Sequence, residues 1–173
     1  MGRVADDSIT GNEAQFVVSV VSISLKVFDL ISSATGLTEK KAKQLGYNTE
    51  NVIGCWSDKP DYQPEVKSIF GKVVFEKNSL RLLGLQLVGE REVNRYVDVF
   101  AELLANKKTA SDLINLEHAY TPAHSSPISP LTFLGYMIIN QEKDGVINCG
   151  FDSLASLDGL VLDVREVEEI DNS

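Results

Sequence analysis

The hydrophobic period of the chain changes at Gly89. Before it, residues 66–76 and 80–89 read as two strands around the Lys77-Asn78-Ser79 turn, the pattern of a β-hairpin. After it, Val93, Tyr96, Val97, Phe100, Leu103 and Leu104 recur at helical spacing and face a core or a partner. Strands followed by helices predict an α+β domain, with an antiparallel or mixed sheet and helices packed on one face. Inside the hairpin, Gly84 shifts the Leu80/Leu82 alternation to Leu83/Leu85/Leu87. A one-residue phase change at a glycine predicts a β-bulge.

The flanking segments extend the same plan. High β-branched density over residues 17–31 favours one strand, closed by Thr35-Gly36. Thr38 is placed to N-cap a short helix over 39–45 that Gly46 ends. Residues 51–56 read as a further strand and 57–64 as a loop. Thr109 followed by Asp112 resembles a capping box that opens a helix through Leu113, Leu116 and Ala119. A Ser- and Pro-rich loop over 121–130 then delivers Ser129-Pro130 as N-cap and N1 of a helix to about residue 141. Residues 1–15 are polar and read as a tail or cut edge. Residues 160–164 form a buried-type strand with no visible neighbour to pair with.

Charge and motifs exclude more than they select. Nine acids and two bases lie between residues 142 and 173, so most of the net charge of -9 sits in the tail. No basic stripe suits nucleic acid. The longest apolar stretch, residues 16–25, is broken by serines and is shorter than the roughly 20 residues of a membrane span. Asp6 and Asp7 stand where the apolar part of a signal peptide would begin. A soluble cytoplasmic domain is therefore expected. The two cysteines form no CxxC pair. Cys55, beside Trp56 in a strand, reads as a core thiol, and Cys149 has no basic neighbour to lower its pKa. His118 reads as a surface residue at the end of a helix and His124 as a loop residue; neither has metal-ligand spacing with the cysteines. No dinucleotide fingerprint, phosphate loop or nucleophile elbow occurs. The chain by itself is expected to be inactive.

Several segments nevertheless match one pattern in register. Gly2-Arg3-Val4-Ala5 with Ile9 and Gly11, Lys26-Val27-Phe28-Asp29-Leu30, and Ala34-Thr35-Gly36-Leu37-Thr38-Glu39 are followed by Leu83-Gly84, Gln86, Gly89 and Arg95. Leu113, Leu116-Glu117, Tyr120-Thr121-Pro122, Ser125-Ser126, Pro130 and Gly135 complete the set. Over residues 2–141 the chain resembles the C-terminal dimerisation domain of the pyridine nucleotide-disulfide oxidoreductases, in the branch of NADH oxidase, NADH peroxidase and coenzyme A-disulfide reductase. Val161-Leu162-Asp163-Val164-Arg165-Glu166 is similar to the first strand of a rhodanese domain. The implied organisation is a remnant of an FAD domain (1–15), the dimerisation domain (16–141), and a linker with the rhodanese strand (142–173). The FAD and NAD domains and the redox cysteine would precede residue 1.

The resemblance implies a homodimer with shared active sites, in a parent that uses FAD and NAD(P)H and reduces a disulfide, persulfide or oxygen-derived acceptor. No cofactor is expected for this chain alone. In that family, tyrosines of one subunit reach the flavin and thiol site of the other, and the matching positions here are Tyr62 and Tyr120. Pro122, Ser125 and Ser126 match the cofactor-side loop. His124 replaces a family aromatic and enters as a candidate acid or base. Tyr62-Gln63-Pro64-Glu65 departs from the family's Tyr-Tyr-Pro-Gly. Val93, Val97 and Phe100 or their neighbours are expected at the two-fold interface. The competing expectation is a non-catalytic dimeric binding module with the same fold, which would cover the Ser125-Ser126 loop with its own residues.

Overall fold

The computed structural model describes residues 2–11, 20–91, 93–145, 156, 158–160 and 162. In order it contains α1 (Gly2–Ile9), β1 (Ser22–Val27), β2 (Leu30–Gly36), α2 (Glu39–Gln44), β3 (Thr49–Ser57), β4 (Ser68–Glu76), β5 (Leu82–Gly89), α3 (Asn94–Ala105), α4 (Ala110–Ile114) and α5 (Pro130–Asp144). The strands join one antiparallel sheet in the order β1-β2-β5-β4-β3. The predicted hairpin is therefore its centre, where strands buried by neighbours on both sides demand the most apolar sequence.

Alternation decides which side chains reach the core. Val52, Ile69, Val73, Phe75, Leu85 and Leu87 point from the sheet to one face, where Val97, Phe100, Leu113, Leu131, Leu134 and Ile138 of α3, α4 and α5 meet them. Burying each large side chain stabilises the fold by about 1.5–3 kcal/mol. The bulge falls where the phase change placed it. Val74 pairs with Gly84, but Phe75 pairs with Leu82, leaving Leu83 unopposed. Leu83 turns to the other face and packs with Val74 and with Ala42 of α2. The Leu37 backbone crosses over Gly84, its N–H donating to the Leu83 carbonyl at 2.8 Å. A Cβ on Gly84 would stand 2.0 Å from the Leu37 carbonyl oxygen, so only glycine fits.

The caps follow their residues. The Thr38 hydroxyl accepts from the Lys41 N–H at 3.3 Å, and the Ser129 hydroxyl accepts from Leu131 N–H at 3.3 Å with Pro130 at N1. Asp112 closes the capping box by accepting the Thr109 N–H at 2.8 Å.

Five expectations need correction. The polar tail contains a helix, α1, where a Val4 to Ser8 bond of 2.8 Å joins successive turns. The single strand over 17–31 is two strands, β1 and β2, folded about Phe28-Asp29; Phe28 adopts φ 53°, a turn conformation no glycine or asparagine announced. The helix after Thr109 stops at Ile114, because Asn115 donates to the Ser111 carbonyl from both its backbone and its side chain, and Leu116 then folds back onto the core. Val93, Val97 and Phe100 fill the chain's own core and are not available to a partner. Cys55 is exposed, since Val52 and Trp56 take the inward phase of β3 and leave Ile53 and Cys55 outward, with Cys55 opposite Phe70.

The outer sheet face is consequently apolar and open: Ile23, Leu25, Val27, Leu30, Ile53 and Phe70 all lie exposed on it. Cys149 and most of the expected rhodanese strand lie outside the described residues. Among the described residues no helix is long and apolar enough to cross a membrane, and no cluster of three or more His, Cys, Asp or Glu side chains is arranged to hold a metal ion.

Candidate functional site

Two loops at one end of the sheet carry the candidate residues. The first joins β3 to β4. It is closed at its neck by Asp58, whose N–H donates to the Lys67 carbonyl at 2.8 Å while its carboxylate accepts the Lys67 N–H at 2.8 Å. Arg91 braces it from the end of β5, donating to the Glu65 carbonyl at 3.0 Å and to its carboxylate at 3.1 Å. Glu65 stands at φ 55°, in the left-handed region, at the position where the family pattern has glycine.

The second loop runs from α4 to α5. Thr121 accepts at its carbonyl from the N–H groups of His124 (3.0 Å) and Ser125 (3.1 Å), making a tight turn at Pro122. His118, half-buried, spans this loop with a 3.3 Å bond to the Ser126 carbonyl. Since α4 is short, His118 lies within the irregular segment and not at a helix end. The loops are tied together by the Ser126 hydroxyl, which donates to the Ser57 carbonyl at 3.2 Å.

The tie brings Tyr62 and Tyr120 together. Tyr120 is 45% exposed and Tyr62 is 75% exposed. Partial desolvation of the Tyr120 phenol raises its pKa above the ordinary value, and a hydrogen bond with Tyr62 and repulsion from the Tyr62 phenolate raise it further. At neutral pH Tyr120 is thus a proton-bearing donor on an open surface.

The remaining candidates divide. His124 is exposed, and its carbonyl accepts from Arg95 at 3.0 Å. Pro122 is half-buried in the turn. Ser126 is half-buried and engaged with Ser57. Ser125 is only 3% exposed, and its hydroxyl has no partner. Tyr120 therefore lies on the surface, whereas Ser125 is covered by its own chain. Sequence reading missed a cleft of mixed charge: Lys59, Arg91 and Arg95 line it together with Asp58, Glu90 and His124. Arg95 lies over the Tyr96 ring at 4.7 Å and donates to its hydroxyl at 2.7 Å.

The fold is shared with known proteins. The family model described as "Pyridine nucleotide-disulphide oxidoreductase, dimerisation domain" matches residues 22–130. The chain is 33% identical over 138 residues to an NAD(P)H sulfur oxidoreductase (CoA-dependent) of Pyrococcus abyssi, covering 80% of this chain and 31% of that protein. It is similar to the solved structure of an NAD-dependent persulfide reductase from A. fulgidus, with a TM-score of 0.79 and 33% identity over 83% of this chain and 26% of the other. It is also similar to reduced Bacillus anthracis CoADR-RHD, with a TM-score of 0.77 and 32% identity over 87% of this chain and 28% of that one. The chain spans about a third of the length of the curated relatives it matches.

Proposed function

From the premise that the chain belongs to the pyridine nucleotide-disulphide oxidoreductases, as their dimerisation domain, we propose that it pairs two subunits of an FAD-dependent NAD(P)H oxidoreductase and lends Tyr62 and Tyr120 to the partner's active site. The parent would reduce a disulfide, persulfide or oxygen-derived acceptor. Relatives named as a sulfur oxidoreductase and a persulfide reductase support the first two classes. The domain plan follows the same reading: residues 1–15 from an FAD domain, 16–141 for dimerisation, and 142–173 as a linker with a rhodanese-like strand, in a cytoplasmic homodimer.

The observation that carries the proposal is the pairing of two tyrosines from separate loops on an open surface. A single aromatic there would be ordinary; a pair in which Tyr62 helps to hold the Tyr120 phenol in its protonated form is a preorganised donor. Bound FAD would supply hydride acceptance and electron relay. The chain's own contribution is the Tyr120 proton, aimed outward toward negative charge that develops on a sulfur or flavin atom, with Tyr62 orienting it. The open apolar sheet face gives such a protein the area to meet another domain or subunit. His124, exposed beside the pair, is the candidate acid or base; an unchanged pH–rate profile in His124→Phe would remove it from that role. Pro122 and Ser126 shape the loop. Ser125 acts through packing, since its buried hydroxyl does not reach the surface.

The test is the full-length protein carrying Tyr120→Phe. The expected result is a fall in kcat of about 10- to 100-fold with the dimer intact by light scattering. Unchanged kcat would overturn the active-site role. The second reading, a non-catalytic dimeric binding module, is favoured by the burial of Ser125 under its own loop. It predicts a dimer with no flavin partner at all.

A further inference from the structure

The two tyrosines of the candidate site reach each other from separate loops and from exposed positions, Tyr62 more so than Tyr120. A hydrogen bond between phenols that water can also serve gains little, while ordering two surface side chains costs entropy. Such a contact does not gather two loops by itself, so its geometry has to be set elsewhere.

Ser57 is where the two loops are joined. It forms the last rung of β3 with β4, opposite Ser68, and is therefore fixed to the sheet. Its hydroxyl donates to the Asp61 carboxylate at 2.9 Å, a charge-assisted bond that grips the first loop one residue before Tyr62. Asp61 and Tyr62 are the central residues of a turn in which the Gln63 N–H donates to the Pro60 carbonyl at 2.9 Å, so holding Asp61 also holds the root of Tyr62. The Ser57 carbonyl accepts from the Ser126 hydroxyl at 3.2 Å and thereby holds the second loop.

Ser126 passes the constraint on toward Tyr120. Its carbonyl lies 3.3 Å from Nε2 of His118, two residues before Tyr120. A ring nitrogen meets a carbonyl only as an N–H donor, so this contact puts the proton of the neutral imidazole on Nε2. Between the two residues the Thr121 carbonyl accepts the N–H groups of His124 and Ser125, at 3.0 and 3.1 Å, which shortens the path from Tyr120 to Ser126. Asp61, Ser57, Ser126 and His118 thus form one strap of three hydrogen bonds that starts beside one tyrosine and ends beside the other. Ser57, Ser126 and His118 are half-buried, where such bonds exchange less readily with water.

We propose that Ser57 and Ser126 are positioning residues: their hydroxyls set the distance and angle at which Tyr62 meets Tyr120, and they act only through that pair. The consequence for catalysis rests on the active-site reading of the tyrosines; the strap itself does not.

The test is phenolate titration of the full chain by ultraviolet difference, with the Tyr120 transition identified as the one lost in Tyr120→Phe. In Ser126→Ala that transition is expected to move down toward about 10, as expected of Tyr62→Phe, and to move no further in the double variant Ser126→Ala/Tyr62→Phe. Ser126→Thr keeps the hydroxyl and is expected to restore the parent titration. Should Ser126→Ala fail to fold, Ser57→Ala carries the same expectation, since it removes the bond to Asp61 and leaves the Ser57 carbonyl in place. Asp61→Asn, still an acceptor, is expected to titrate like the parent. A Tyr120 transition unmoved in the alanine variants, or additive shifts in the double variant, overturns the proposal. Kinetics of the full-length protein separate the strap from the active-site reading. Where both hold, Ser126→Ala lowers kcat about tenfold and lowers it no further in a Tyr120→Phe background. A shifted titration with kcat unchanged in both Ser126→Ala and Tyr120→Phe leaves the strap standing and overturns the active-site reading.

Discussion

Tyr62 and Tyr120 share a phenol contact across two loops, and the contact raises the Tyr120 pKa. In Tyr62→Phe both the hydrogen bond and the phenolate repulsion disappear, so Tyr120 is expected to titrate closer to about 10. A native pKa above the unfolded one gives stability that is intact below about pH 10 and is lost as pH rises through the native value. Ultraviolet titration of the phenolate band, parent against variant, reads the shift; identical curves would contradict the contact.

Glu39 shows the opposite sign. Its carboxylate accepts from Lys43, from Lys72 at 2.7 Å and from Asn51 at 3.0 Å, and the two lysine bonds pull its pKa below the usual carboxylate value. The stability it adds is present above the unfolded pKa and is lost as pH falls through the lower native value. Because the group is partly solvated, Glu39→Gln is expected to cost at most about 1 kcal/mol at neutral pH. Urea midpoints should converge at pH 3; a constant difference across pH 3 to 7 would refute the ion-pair origin.

Gly84→Ala tests the bulge. Its new methyl would meet backbone and not a side chain, so neither strand can relax without breaking the Leu37–Leu83 bond. A loss of about 3 kcal/mol or more is expected, at the upper end for overpacking. A thermal midpoint within two or three degrees of the parent, roughly the effect of under 1 kcal/mol, would count against the crossing.

Phe100→Ala removes a ring fully enclosed by the sheet and α5. It is expected to cost about 3–5 kcal/mol. Tyr62→Phe, an exposed change, should stay within about 0.5 kcal/mol in the same denaturant assay.

Cys55 lies on the outer sheet face and should react with an aromatic disulfide reagent in native buffer at the rate of an unhindered thiol. The C149S chain isolates the signal. Protection lifted only by dimer dissociation would place Cys55 under a partner; protection in the monomer would contradict its exposure.

Much of this was legible because local rules and tertiary packing agreed. The switch from period 2 to helical period around Gly89 located the central hairpin and α3, and Gly84 announced its own bulge. Thr38, Thr109 and Ser129 marked helix starts through hydroxyls with one obvious use. Legibility failed where a conformation was imposed against preference: Phe28 enters the hairpin turn at a left-handed φ that phenylalanine does not announce, and Cys55 looked buried because its apolar strand has two faces and only one core. The tyrosine pair was readable as two separate positions through the family resemblance, but not as a contact. Lys59 carried no signal, and Arg95 entered only as one position of the family pattern.

The pair of hydrogen bonds between Asp58 and Lys67 closes the neck of the loop that carries Lys59 and Tyr62. The ladder of β3 with β4 therefore ends at Ser57 and Ser68, and the segment beyond the neck adds no rung to it. The segment is thus a cassette: a loop whose ends are fixed by their own hydrogen bonds and not by the sheet. That separation explains how Gln63 and Glu65 can occupy a stretch written differently elsewhere in the family while the frame beneath remains the same.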